Sequence, residues 1–149
     1  MTAPNPFLTA AFAEAEAAAR RDEVPVGAVV VQNGRIIAQA GNRVEELHDP
    51  TAHAEMLAIR AACAATGQAR LDGCDLYVTL EPCPLCATAI SFARIRRLYF
   101  GAYDPKGGGV EHGPRIYSHA TCHHAPEVIG GLEERRAAAL LKEFFHARR

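Results

Sequence analysis

Apolar residues recur at helical spacing over residues 6–21, where Phe7, Leu8, Ala11, Phe12 and Ala15 share one face of a segment rich in strong helix formers. Two β-branched runs follow, Val24 to Val31 and Ile36 to Ala40, on either side of Asn33-Gly34. Both turn residues accept positive φ, so this stretch predicts a β-hairpin. Polar positions dominate from Gly41 to Pro50, which reads as a loop. Thr51 is placed to N-cap a helix over residues 52–65 that ends near Gly67. Leu76 to Thr79 is short and nearly all apolar, as in a strand covered on both faces. Pro84 suits the first position of a helix over 84–94, whose small residues permit close packing. Residues 97–101 read as another strand, 102–126 as a glycine- and proline-rich loop with room for one helical turn, and 132–146 as a last helix. Helices alternating with strands predict an α/β layered domain, its sheet mostly parallel after the opening hairpin. No repeat or compositional break divides the chain, so one domain over residues 1–149 is expected.

Composition adds mainly exclusions. The chain has 149 residues, 49% apolar and 22% charged, enough for a real core. A net charge of -1 supplies no global attraction for nucleic acid, so any such contact rests on a local patch. Five cysteines, two of them in a Cys-x-x-Cys, favour metal binding and free thiols over disulfides. Cys63 and Cys74 read as small buried hydrophobes. Glu14 and Glu16 interrupt the N-terminal alanines, which points to a helix and not a signal peptide. No apolar run approaches the ~20 residues of a membrane span. A soluble, cytoplasmic protein without a membrane partner is expected.

Two fragments carry the chemistry: His53-Ala54-Glu55 and Pro82-Cys83-Pro84-Leu85-Cys86, each at the start of a predicted helix. Cys83 and Cys86, three apart on a first helical turn, point their sulfurs the same way. The free N–H groups and dipole of that helix start favour thiolate. His53 supplies a third ligand. Mid-helix, residues two apart diverge, so His53 and Glu55 are expected to straddle the helix start and both reach the metal region. Structural zinc sites close all four positions with protein atoms, whereas catalytic ones keep one open. Three ligands plus a carboxylate placed to carry protons is the zinc deaminase pattern. Two thiolates and a neutral imidazole leave Zn²⁺ formally neutral, so activation of water needs Glu55 as proton acceptor.

Around these motifs the chain resembles the bacterial tRNA-specific adenosine deaminases of the zinc-dependent cytidine deaminase superfamily. The likeness runs through residues 23–29 (EVPVGAV), Gly41-Asn42-Arg43, 48–55 (HDPTAHAE), 76–83 (LYVTLEPC) and the C-terminal Phe144-Phe145. It implies a three-layer α/β/α sandwich around a five-stranded mixed sheet, one zinc per subunit, and a homodimer with active sites near its interface. The reaction it implies is conversion of adenosine to inosine at the wobble position of a tRNA anticodon. By position, Asn42 should hydrogen-bond the flipped base, Val26 wall the pocket, and Glu81 offer its backbone carbonyl beside the zinc. Asp104 and Lys106 should meet ribose and phosphate, and Phe145 with Arg148 and Arg149 should form a stacking and phosphate-contacting tail. From spacing alone, Asn42 reads as a turn residue; only the resemblance reverses that.

Other readings compete. A deaminase of a free nucleobase or nucleoside, of guanine or cytosine type, would share the zinc apparatus, and the net charge favours it slightly. Phe145, Arg148 and Arg149 favour the RNA substrate, since a free base needs no such tail. A non-catalytic zinc-stabilised module is the third reading. Phe144 and Phe145 are adjacent on a helix, so one packs inward; Phe145 is expected to be displayed. Arg94, Arg96 and Arg97 read as a phosphate track or a solvated face. Cys122-His123-His124 suggests a second metal site but reads better as a loop cluster, lacking a further ligand at suitable spacing.

Overall fold

The computed structural model describes residues 5–148. Helix α1 (Pro6–Arg20) begins where the Asn5 side chain accepts the N–H groups of Phe7 and Leu8. It leads into a hairpin of β1 (Gly27–Gln32) and β2 (Arg35–Gly41). Asn33 and Gly34 join the strands at φ 51° and 75°, the left-handed pair the sequence predicts. A four-residue helix α2 (Val44–Leu47) precedes α3 (Ala54–Thr66), β3 (Cys74–Leu80), α4 (Pro84–Ala93) and β4 (Arg97–Ala102). A 3-10 turn (Ile116–Ser118), β5 (Glu127–Ile129) and α5 (Glu134–His146) complete the order.

The sheet runs β2-β1-β3-β4-β5. β1 pairs antiparallel with both β2 and β3, and β3, β4 and β5 are mutually parallel. Alternation along the strands builds two cores. Ala28, Val30, Leu76, Val78, Leu98 and Phe100 face α3 and α4. Val29, Val31 and Tyr77 face α1 and α5, where Phe12 is fully buried. The three-layer α/β/α sandwich with a five-stranded mixed sheet is therefore present as expected. Burying a side chain such as Phe100 contributes about 1.5–3 kcal/mol.

Two local expectations are corrected. Thr51 does not cap α3: its hydroxyl and N–H both go to the Asp49 carboxylate, at 2.7 and 2.8 Å, and the helix starts later, with His53 at the N-cap. The stretch from Gly41 to Pro50 is not all loop, because the buried Glu23 carboxylate accepts the N–H groups of Glu45 and Glu46 and so caps α2. The fifth strand has three residues, too few to show periodicity, and takes its register from β4. Among the described residues, no helix is long and apolar enough to cross a membrane.

Candidate active site

The N-termini of α3 and α4 meet beneath the carboxyl end of β3. His53 and Cys83 are their N-cap residues, both extended, and neither caps its own helix with a side-chain hydrogen bond. That frees both side chains to point at one centre. The Nδ1 of His53 lies 3.5 Å from Cys83 Sγ and 3.4 Å from Cys86 Sγ. Zinc bonds of ~2.3 Å to sulfur and ~2.0 Å to nitrogen put tetrahedral N···S edges near 3.5 Å. The donor set thus fits a zinc ion, with a fourth position left to substrate or water. It is the one such cluster of His, Cys and carboxylate donors among the described residues.

The electrostatics suit a dication. Contact with Cys86, and then with His53, holds the Cys83 thiol down at about 4. The same contact and burial push Cys86 up, and contact with Cys83 raises His53. A cation at the centre takes the place of the protons these donors share. Glu55, one residue inside α3, is 4% exposed, and burial pushes its carboxyl up to about 7. A carboxyl with a pKa near the working pH suits proton transfer in both directions.

A cavity of about 460 Å³ opens over these groups. Its lining includes Val26, Asn42, His53, Glu55, Glu81, Cys83 and Asp104, so most of the residues singled out in the sequence converge there. The lining also includes Glu23 and Phe144, which lie in the stretches that carry the resemblance, and Asp22, Val44 and Glu45, which local patterns do not mark. Asn42 Oδ1 accepts the Ala54 N–H at 2.7 Å, which turns its amide NH₂ away from the helix end. Glu81 is held by its carboxylate, which accepts four backbone N–H groups from residues 104–112.

The tail is only partly where it was expected. Phe144 is buried against the cavity, whereas Phe145 is 51% exposed and lines a second hollow of about 350 Å³ that shares Val24, Leu80 and Asp104 with the first. Arg148 lies with its guanidinium 3.6 Å over the Phe144 ring and hydrogen-bonds Asp22, so its charge is engaged within the chain. Arg149 lies outside the described residues. Lys106 is exposed beside Asp104 and does not line the cavity.

The remaining clusters are structural. Arg96 forms two 3.0 Å bonds to Asp75, and Arg97 pairs with Glu127 at 3.0 Å. Ser91 binds Cys122 and the His124 N–H, and the His124 ring bonds the Ile95 carbonyl, which anchors that loop to α4. Cys74 is buried as expected, and Cys63 is half-buried.

Paired helix N-termini, a His/Cys/Cys donor set and a buried carboxylate on this sandwich define a zinc-dependent hydrolytic deaminase. Comparisons with known proteins agree. The model of the cytidine and deoxycytidylate deaminase zinc-binding region matches residues 1–102. The tRNA-specific adenosine deaminase of Agrobacterium fabrum is 62% identical over 143 residues, covering 96% of this chain and 94% of that protein. The tRNA-specific adenosine deaminase of Aquifex aeolicus is 49% identical over 140 residues, covering 93% and 91%. A solved structure from a study of A-to-I editing by tRNA:A34 deaminases superimposes with a TM-score of 0.89 at 63% identity, covering 91% of this chain and 98% of that one. The chain belongs to the cytidine and deoxycytidylate deaminase family and, within it, to the tRNA-specific adenosine deaminases.

Proposed function

We propose that this protein hydrolyses adenosine to inosine at the wobble position of a tRNA anticodon. The observation that carries the reading is the His53, Cys83 and Cys86 donor cluster at a cavity that His53, Cys83, Glu55 and Asn42 line, in a chain 62% identical to a tRNA-specific adenosine deaminase. His53 Nδ1, Cys83 Sγ and Cys86 Sγ would hold one zinc ion per chain. Bound there, zinc supplies Lewis acidity that lowers the pKa of water. Glu55 accepts a proton from the attacking water and delivers it to the adenine ring nitrogen as the new C–O bond forms at the amine-bearing carbon. Its carboxyl then carries the second proton to the departing amine, giving inosine and ammonia.

The other side chains select and hold the base. Asn42 donates its amide NH₂ to an acceptor on the flipped base, and Val26 forms an apolar wall. The Glu81 backbone carbonyl faces the amine. Asp104 receives ribose hydroxyls, Lys106 meets phosphate outside the cavity, and Phe145 offers an exposed ring for stacking. Arg149 and, once released from Asp22, Arg148 add phosphate contacts. The anticodon stem-loop is the partner in this reading. The enzyme works in the cytoplasm as a homodimer.

A second reading rests on one feature of the cavity. Among the described residues its lining includes six acidic residues and no Lys or Arg, which suits an uncharged free base. One experiment separates the two. The zinc-loaded protein is incubated with an anticodon stem-loop bearing wobble adenosine, and separately with free bases and nucleosides. Inosine in the digested stem-loop supports the tRNA reading. Ammonia from a free base, with the stem-loop intact, replaces it by nucleobase deamination.

A further inference from the structure

Glu81 precedes Pro82-Cys83, and its side chain has no solvent exposure. A carboxylate buried this far must be paired. All its partners come from one segment, residues 104–112. Oε1 accepts the Asp104 N–H at 3.0 Å and a hydrogen from His112 Nδ1 at 2.8 Å. Oε2 accepts the N–H groups of Val110, Glu111 and His112 at 3.2, 2.9 and 3.1 Å. An ionised carboxylate only accepts, so Nδ1 of His112 carries the hydrogen. The glycines explain how the segment comes so close. A Cβ at Gly108 would sit 2.4 Å from Glu81 Oε2, and one at Gly109 would sit 2.6 Å from the Pro84 nitrogen. Gly109 also donates its N–H to the Pro82 carbonyl at 2.8 Å.

One carboxylate therefore ties the turn that bears Cys83 to the loop that bears Asp104. We propose that Glu81 and His112 form a clasp that sets the position of Asp104 at the cavity mouth, which makes His112 a positioning residue for RNA recognition. His112 lines no part of the cavity, so it acts through Asp104 and not on the reacting atoms. This deepens the tRNA reading and rests on it.

The test uses the zinc-loaded full chain, with hydrogen exchange of residues 104–112 and steady-state kinetics on the wobble-adenosine stem-loop. In His112→Ala, the amides of Asp104, Val110 and Glu111 exchange faster. KM rises about tenfold, the scale of one lost charge-assisted hydrogen bond, while kcat stays within about twofold. His112→Asn, whose amide can donate from near the Nδ1 position, recovers protection and KM. Adding His112→Ala to Asp104→Ala raises KM no further, because both act on one contact. Unchanged exchange, a fall in kcat at constant KM, or additive KM effects would each overturn the clasp. If the wild type leaves the stem-loop untouched, the tRNA reading fails by itself. Exchange in His112→Ala then decides the clasp, and retained protection overturns it.

Discussion

The side-chain oxygen of Asn42 accepts the N–H of Ala54 at 2.7 Å, so a residue just beyond β2 caps the helix that carries His53 and Glu55. His53 occupies the N-cap position but turns its ring to the metal centre, and Asn42 supplies the acceptor that helix start lacks. One side chain thus has two separable jobs. Asn42→Ala removes both, with a loss of about 1 kcal/mol from the missing cap. Asn42→Asp keeps the acceptor for the Ala54 N–H, exchanges the amide NH₂ for a second oxygen and adds a negative charge. Its melting temperature should stay near wild type while kcat/KM on the stem-loop drops. Wild-type kcat/KM in Asn42→Asp would remove the base contact.

Glu55→Gln fills the same space without a proton-accepting carboxylate. The buried site loses no packing, so folding and zinc stoichiometry should be unchanged. Turnover should fall by about a hundredfold to ten-thousandfold, the usual span for a general acid–base group. Turnover at the wild-type rate would refute the assignment of Glu55.

Cys86→Ser removes a soft donor at a fully buried position. Zinc measured by mass spectrometry should fall well below one per chain. The melting temperature should drop with it, because the metal ties α3 to α4. Chelation of the wild type should reproduce that drop, and full zinc occupancy in Cys86→Ser would overturn the ligand set.

Phe145→Ala separates recognition from folding better than removal of the tail, since the tail also contains the buried Phe144. Stability should change by no more than about 0.5 kcal/mol, as at exposed positions generally. Binding to the stem-loop should weaken by about 1–3 kcal/mol if the ring stacks on a base. An unchanged dissociation constant would exclude stacking.

Glu81 also predicts a pH dependence. Burial opposes its ionisation, but the donors from Asp104, His112, Glu111 and Val110 together hold its carboxyl below the ordinary 4.5. A lowered folded-state pKa contributes stability above the ordinary value, and that stability is lost as pH falls through the lowered one. Glu81→Gln should therefore be less stable at pH 7, by roughly 1–3 kcal/mol. The gap to wild type should close in acid. Denaturant melts of both proteins across pH would show it; a gap constant down to acid pH contradicts a charged Glu81.

Features set within a turn or two of chain were legible beforehand. Asn33-Gly34 specifies a left-handed turn by its own dihedral preferences, and Cys83 and Cys86 are brought together by helix geometry alone. His53 and Glu55 straddle the start of α3 as their spacing requires, and adjacency on α5 separates the buried Phe144 from the displayed Phe145. Thr51 misled because a neighbouring carboxylate, Asp49, competed for its hydroxyl. The cap on α3 comes from Asn42, the cap on α2 from Glu23, the clasp on Glu81 from His112, and the partner of Arg148 is Asp22. Those pairs lie 12 to 126 residues apart. Backbone periodicity and turn preference act over a few residues, so the chain by itself determined most of the elements and set His53, Glu55, Cys83 and Cys86 at two helix starts. Which distant polar group meets an unpaired N–H or a buried carboxylate depends on where packing the two faces of the sheet brings them, and only the tertiary structure decided that.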